Sequence, residues 1–131
     1  MPANSETFNF VVNSTNQTQL THPGDSTTET RTSDKLKGDG YYGRSDGLHS
    51  VQYNVAEFLG KIVVQATLAT EPTSSDWFTL GSTEHSNLGD STGSDNGNGS
   101  VIKNFTGNFV WIRIYVSDWT DGTINSIVLN H

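Results

Sequence analysis

Residues 109–131, FVWIRIYVSDWTDGTINSIVLNH, limit the folds open to this chain more than any other stretch of its sequence. Side chains of a β-strand point alternately to its two faces. Here one face receives only aliphatic residues, namely Val110, Ile112, Ile114 and Val116. An all-aliphatic face is typical of a strand that covers a hydrophobic core. We therefore predict a core strand over residues 109–117.

The opposite face of this strand carries Phe109, Trp111, Arg113 and Tyr115. Large aromatic residues at strand positions usually belong to a core or cover its edge. A subunit interface and a ligand platform are the two alternatives, and the sequence leaves all three open.

Asp121-Gly122 divides the same stretch and is a strong signal for the two-residue turn of a β-hairpin. With a turn at this place, Val116 opposes Ile127 and Ile114 opposes Leu129. Directly opposed residues share a face of the sheet, so this register pairs apolar residues on the core side. A shift by one residue would destroy the agreement. We therefore predict a hairpin at the end of the sequence.

Strand-like patterns also occur at residues 6–13, 48–55, 61–69, 77–80 and 101–106. Alternation places Phe8, Phe10 and Val12 on one face of the first, and Ile62, Val64, Ala66 and Leu68 on the inner face of the third. Residues 48–59 also carry a helical spacing through Val55, Phe58 and Leu59. We favour a strand to Val55 with a turn after it.

The composition agrees with strands joined by turns, because Ser, Thr, Asn and Gly are abundant and strong helix formers are scarce. Long polar loops are predicted at about 14–47 and 81–100. The chain has 131 residues, the size of one domain. We predict an all-β fold, an antiparallel β-sandwich or jelly roll, forming a single domain over residues 1–131.

The charge and the lack of cysteine exclude several classes of function. Lys and Arg number 7 against 14 Asp and Glu, a formal net charge of −7. This balance argues against nucleic acid and anionic membranes as partners. Without cysteine there are no disulfides and no thiolate nucleophiles. The first residues, MPANSETFNF, lack the basic and apolar regions of a signal peptide, so we expect no secretion signal.

Catalytic and metal-binding motifs are not recognisable. His22, His49, His85 and His131 occur at none of the usual metal spacings, and we expect them at the surface. The segment DSTGSDNGNGS, residues 90–100, lacks the ligand order and closing Glu of a calcium loop and predicts a solvated turn. There is no phosphate loop and no Gx-Ser-xG elbow. We therefore expect no enzyme, no metal and no cofactor.

Aromatic residues then remain as the candidates for a binding surface, because a ring can stack on the apolar face of a sugar or fill a subunit interface. Trp77 and Tyr53 belong to this wider set. The residues we select as interface or glycan candidates are Trp111, Arg113, Tyr115, Trp119, Tyr41 and Tyr42.

Two segments, GKIVVQATLATEPTSSDWF and NFTGNFVWIRIYVSDWTDGTINSIVLNH, resemble a short β-sandwich domain of virion structural proteins from tailed bacteriophages, notably marine phages of cyanobacteria. The resemblance covers roughly residues 60–131. It implies a non-enzymatic virion component made in the host cytoplasm: a fibre, neck, baseplate or capsid-decoration protein that assembles with itself or with other virion proteins. The alternative is a carbohydrate-binding module for host surface glycans.

Overall fold

The computed structural model describes residues 5–12, 15–22, 28–43, 47–87 and 99–131. Within these ranges every regular element is a β-strand. The strands are β1 (Glu6–Thr7), β2 (Phe10–Val12), β3 (Thr15–Gln17), β4 (Leu20–Thr21), β5 (Glu29–Thr32), β6 (Leu36–Lys37), β7 (Leu48–Thr67), β8 (Phe78–Asn87), β9 (Gly99–Thr106) and β10 (Trp111–Asn130). In this described part of the chain, no helix is long and apolar enough to cross a membrane.

Two strands of 20 residues each, β7 and β10, form the backbone of the fold. They pair antiparallel along their whole length, from Trp111 opposite Thr67 to Asn130 opposite Ser50. Their register shifts three times between residues 117 and 126 of β10. Such bulges bend a strand pair, and the pair here passes from one layer of the structure to the other.

Each half of this bent pair forms one layer together with shorter strands. In the first layer, the second half of β7 pairs with β8, and the first half of β10 pairs with β5 and β6. In the second layer, the first half of β7 pairs with β9, and the second half of β10 pairs with β1 and β4. Strands β2 and β3 form a small separate sheet.

The two layers enclose a common hydrophobic core. The first layer contributes Ile112, Ile114 and Val116, and the second contributes Ile124, Ile127 and Leu129. Phe58 and Trp119 are fully buried near the bend, in the same core. The hydroxyl of Tyr53, in the second layer, donates a hydrogen bond to the carbonyl oxygen of Thr83 in the first (2.9 Å). The predicted antiparallel β-sandwich and the aliphatic core face of residues 112–116 are thus confirmed.

The predicted hairpin at Asp121-Gly122 is wrong. Val116 pairs with Ile62 and Ile127 pairs with Tyr53, both in β7, so β10 continues through this point. Gly122 has a positive φ of 93°, and a Cβ there would lie 2.2 Å from the carbonyl oxygen of Glu57. The glycine therefore lets two bent strands approach closely. The buried residues of β10 have even numbers before the bulges (Ile112 to Val116) and odd numbers at the end of the strand (Ile127 and Leu129). The bulges cause this change, and not a turn.

Other predicted elements differ in length. The segment 14–47, predicted as a long polar loop, contains β3 to β6, and β8 extends to residue 87 within the predicted loop 81–100. The predicted turn after Val55 is absent, because Glu57 takes a positive φ of 53° and lets β7 continue through the bend. Leu68, predicted to point inward, is 65% exposed because β7 ends at residue 67. Phe8 and Phe10 are buried as predicted.

Candidate functional site

The outer face of the first layer carries Trp111 and Arg113 of β10. Strand pairing places Lys37 beside Trp111 on one side and Thr67 on the other, while Gln65 lies beside Arg113. Paired residues share a face, so these side chains point away from the core that Ile112 and Ile114 enter. The alternation of β10 thus positions an aromatic ring and a guanidinium group on a half-buried outer surface.

Arg113 is held between an amide and an aromatic ring. Its Nε–H donates to Oε1 of Gln65 (2.8 Å), and its guanidinium carbon lies 4.4 Å from the ring centre of Trp77. Partial burial lowers the pKa of Arg113 below its usual value, against an opposing effect of nearby Tyr115. An arginine stays cationic in proteins, so the contact with Trp77 is a cation–π interaction.

Trp111 contacts the segment that follows β7 and the segments on either side of β6. Its Nε1–H donates to the carbonyl oxygen of Thr70 (2.9 Å). The ammonium group of Lys35 lies 4.9 Å from its ring centre, and the ring of Tyr41 lies at 5.1 Å. The Lys37 ammonium in turn lies 4.6 Å from the Tyr41 ring centre. Two cations therefore flank a pair of contacting aromatic rings on this surface.

Two adjoining clefts open on these residues. One, of about 460 Å³, is lined by Lys35, Tyr41, Thr70, Glu71, Pro72 and Trp111. The other, of about 290 Å³, is lined by Ser33, Lys35, Pro72, Thr73, Ser74, Trp77 and Arg113. Because the two clefts share Lys35 and Pro72, we treat them as one groove and call it the aromatic groove.

The structure brings three of the six selected site residues to this groove. Trp111, Arg113 and Tyr41 line it, and Tyr42 contacts the ring of Tyr41 from beside it (5.5 Å). Tyr115 lies farther along the outer face of β10, between Thr32 and Val63 in the pairing, and lines neither cleft.

Trp119, selected as a binding candidate, is a core residue, and this prediction is wrong. It is 1% exposed, its Nε1–H donates to the carbonyl oxygen of Asp121 (3.0 Å), and His22 packs edge-on against its ring (5.3 Å). The bend of β10 turns this side chain inward. Tyr53, from the wider aromatic set, is likewise fully buried.

Sequence reasoning missed Lys35 and the groove wall formed by residues 70–74. Both lie in polar connections with no strand periodicity, so no local signal places them near Trp111. Only the pairing of β6 with β10 and the hydrogen bond from Trp111 to Thr70 bring them together.

The histidines contradict the expectation of surface positions. His22, His49 and His85 are buried, and the side chain of His131 is 4% exposed. His49 and His131 meet the buried carboxyl of Asp39, and one potential ligand atom from each of the three lies within 4.8 Å of the others. We call this group the Asp39 cluster. The segment 90–100, predicted as a solvated turn, lies largely outside the described residues.

Hydrogen bonds define the arrangement of the Asp39 cluster. Nδ1 of His131 lies 2.6 Å from Oδ1 of Asp39, and the backbone N–H of Asp39 donates to Nε2 of His49 (3.2 Å). Nδ1 of His49 lies 2.7 Å from the carbonyl oxygen of Gly47. A carbonyl only accepts hydrogen bonds, so Nδ1 of His49 carries the proton, and Nε2 uses its lone pair to accept the backbone N–H of Asp39.

No family model and no curated protein matches the chain. Among solved structures, it is similar to the C-terminal CBM6 of LamC, a marine laminarinase from Zobellia galactanivorans. The two share 14% sequence identity, and the match covers 98% of this chain and 100% of that chain with a TM-score of 0.47.

Proposed function

We propose that this chain is a non-catalytic binding module that holds a carbohydrate in the aromatic groove. The observation that carries the proposal is the contact between Tyr41 and Trp111, whose ring centres lie 5.1 Å apart at the edge of an open cleft of about 460 Å³. Tyr41 is 46% exposed. Its ring therefore provides an accessible apolar surface. The ring of Trp111, which it contacts, is held in place by strand β10.

The chemistry of the groove suits a sugar. Binding sites for small organic ligands combine apolar and aromatic walls with a few placed polar groups. Here the ring faces can stack on the C–H face of a pyranose. Hydroxyls of Thr73 and Ser74, together with the ammonium of Lys35 and the carboxylate of Glu71, surround the rings. These groups match the alternating donors and acceptors of sugar hydroxyls.

The arrangement of the two clefts favours a chain of sugars over a single ring. They adjoin at Lys35 and Pro72, and each has its own aromatic residue, Trp111 in one and Trp77 in the other. A ligand with repeated rings can use both. We therefore expect binding to polysaccharides and longer oligosaccharides.

The test is affinity gel electrophoresis with a panel of neutral and acidic polysaccharides, followed by calorimetry with the oligosaccharide of the best binder. Tyr41→Ala should weaken binding about 5-fold, because stacking on an aromatic ring is worth about 1 kcal/mol. Tyr41→Phe keeps the ring and should bind as the parent does. Ile102→Ala, at a residue on the outer face of the other layer, serves as the matched control. The proposal fails if no polysaccharide retards the protein, or if Tyr41→Ala binds unchanged.

A second candidate function is assembly with copies of itself or with other structural proteins, as the resemblance to phage virion domains implies. One observation favours it. The outer face of the second layer exposes Leu48 (57%) and Ile102 (61%). The residues that strand pairing places there are uncharged: Thr7, Leu48, Ser50, Gln52, Asn54, Ser100, Ile102, Asn104, Thr106, Ser126, Val128 and Asn130.

An uncharged face is unusual in a chain with a net charge of −7, and charged residues are depleted at the centres of protein interfaces. Light scattering after size exclusion tests this candidate. An oligomer that dissociates with Ile102→Lys, but not with Leu68→Lys, would support it. A monomer at all concentrations would rule out self-assembly. A place in a phage particle stays a proposal.

A further inference from the structure

We propose that Asp39, His49 and His131 form a binding site for a divalent transition-metal ion of the zinc type. The ligands would be a carboxylate oxygen of Asp39, Nε2 of His49 and Nδ1 of His131. The site is separate from the aromatic groove and does not depend on the carbohydrate proposal.

The second ring nitrogen of His49 is anchored as it is in metal sites. A histidine that binds a metal through one nitrogen normally donates its other N–H to a carbonyl or carboxylate, which fixes its tautomer and orientation. Nδ1–H of His49 donates to the carbonyl oxygen of Gly47 at 2.7 Å, which turns Nε2 toward the turn that carries Asp39. There Nε2 accepts the backbone N–H of Asp39 in a long hydrogen bond (3.2 Å), which a bound ion would replace. Nδ1 of His131 faces Asp39 at 2.6 Å, while its Nε2 lies 4.0 Å from Oε1 of Glu6, close enough for an ion pair but too far for a hydrogen bond.

The burial of the cluster supports a cation. The Asp39 side chain is 2% exposed and that of His131 is 4% exposed. A carboxylate removed from water must be compensated by a positive charge or by several hydrogen bonds. A divalent ion would compensate Asp39 directly and would take the place of the proton between Asp39 and His131.

The fold holds the three ligands on rigid supports. Asp39 lies between Gly38 and Gly40, where a Cβ would meet the carbonyl oxygens of Phe109 (2.4 Å) and Asn108 (2.0 Å). The turn is therefore pressed against the segment before β10. The ring of His49 stacks on Phe105 (4.8 Å) and that of His131 on Tyr42 (5.8 Å). Ligands fixed by packing lose little entropy when they bind an ion.

The donor set identifies the class of ion. Two imidazoles and one carboxylate suit Zn²⁺ and its neighbours Co²⁺ and Ni²⁺, while Mg²⁺ and Ca²⁺ require oxygen ligands. Zinc sites have four ligands, so three protein ligands leave one position for water or a further group. We therefore expect Zn²⁺ to bind and Mg²⁺ not to bind.

The experiment uses the full chain without a polyhistidine tag, treated with a chelator and then titrated calorimetrically with Zn²⁺. We expect one ion per chain and a rise in melting temperature with Zn²⁺, but not with Mg²⁺. Asp39→Asn and His131→Gln should each weaken Zn²⁺ binding at least about 10-fold. His22→Gln, at a buried histidine that packs on Trp119, should bind as the parent does.

A second readout does not depend on the variants folding. Co²⁺ bound by the parent chain should give the visible absorption of a tetrahedral site with nitrogen and oxygen ligands, and Zn²⁺ should displace it. The proposal is overturned if the folded parent chain binds neither ion, or if folded His131→Gln binds Zn²⁺ as tightly as the parent. Carbohydrate binding is measured separately, so its failure would leave this result intact.

Discussion

Asp39 and His131 are separated by 92 positions in the sequence, yet Oδ1 of Asp39 lies 2.6 Å from Nδ1 of His131. Both side chains are almost fully buried. The pair ties the turn at residues 38–41 to the residue that follows β10, and so joins two distant segments at one end of the sandwich. Its contribution to stability can be measured without any ligand.

His131→Ala in metal-free buffer should lower the free energy of unfolding by about 2 kcal/mol, because it leaves the buried carboxyl of Asp39 without this hydrogen bond. Urea denaturation followed by tryptophan fluorescence measures the change. Glu84→Ala is the control, since the Glu84 side chain is exposed on β8. We expect the control to change stability by less than about 0.5 kcal/mol. Equal effects of the two variants would contradict the structural role.

Gly122→Ala should destabilise the chain by about 3 kcal/mol. The new Cβ would lie 2.2 Å from the Glu57 carbonyl oxygen, and the residue would keep a φ of 93° that L-residues rarely adopt. Gly81→Ala is the matched control, since a Cβ there meets nothing within 4 Å. Thermal and urea unfolding compare the two. If the chain ended in a hairpin at Asp121-Gly122, then Asp121→Ala should be harmful too, whereas we expect it to be mild.

Trp119→Ala should cost about 3–5 kcal/mol, because it removes a fully buried ring from the bend of the sandwich. Tyr115→Ala, on the half-buried outer face of the same strand, should cost much less. Neither residue lines the aromatic groove, so neither change should alter carbohydrate affinity once the protein is folded. If Trp119→Ala kept normal stability but lost carbohydrate binding, Trp119 would be a binding residue and not a core residue.

Tyr53→Phe should lower stability by about 1 kcal/mol, because the Thr83 carbonyl oxygen loses a buried donor. Burial raises the pKa of the Tyr53 hydroxyl well above its usual range. The hydroxyl is therefore neutral around pH 7, and the loss should be the same between pH 6 and pH 9. Tyr115→Phe provides the comparison. A cost that disappears toward pH 9 would show that the hydroxyl ionises and is not held as described.

The sequence by itself determined which face of each major strand is buried. Alternation identified Ile112, Ile114 and Val116 as core residues, and it did the same for Ile62 and Val64. Burial of apolar side chains is a local consequence of the two-residue period of a strand. It does not depend on which strand is the neighbour, so the faces could be read before the pairing was known.

Tertiary structure alone decided the partners. Even-numbered residues such as Val116 face the core in the first half of β10, and odd-numbered residues such as Ile127 face it at the end. A hairpin turn and bulges within one strand explain this change equally well. Only the presence of β7 along the full length of β10 distinguishes them. The short strands β4, β5 and β6 carry little apolar signal, since they are fixed by backbone hydrogen bonds to β10 and not by their own side chains.

The difference between local pattern and long-range pairing also explains which residues of the two sites could be predicted. Trp111, Arg113 and Tyr41 were recognisable as candidates for a binding surface from their residue types. Lys35 and the groove wall at residues 70–74 could not be predicted, because no pattern near them in the sequence indicates that they lie beside Trp111. The Asp39 cluster joins residues 39, 49 and 131, whose contact depends on where three backbone segments cross. Local periodicity determines how a strand is oriented, whereas a site built across segments exists only once the whole chain has folded.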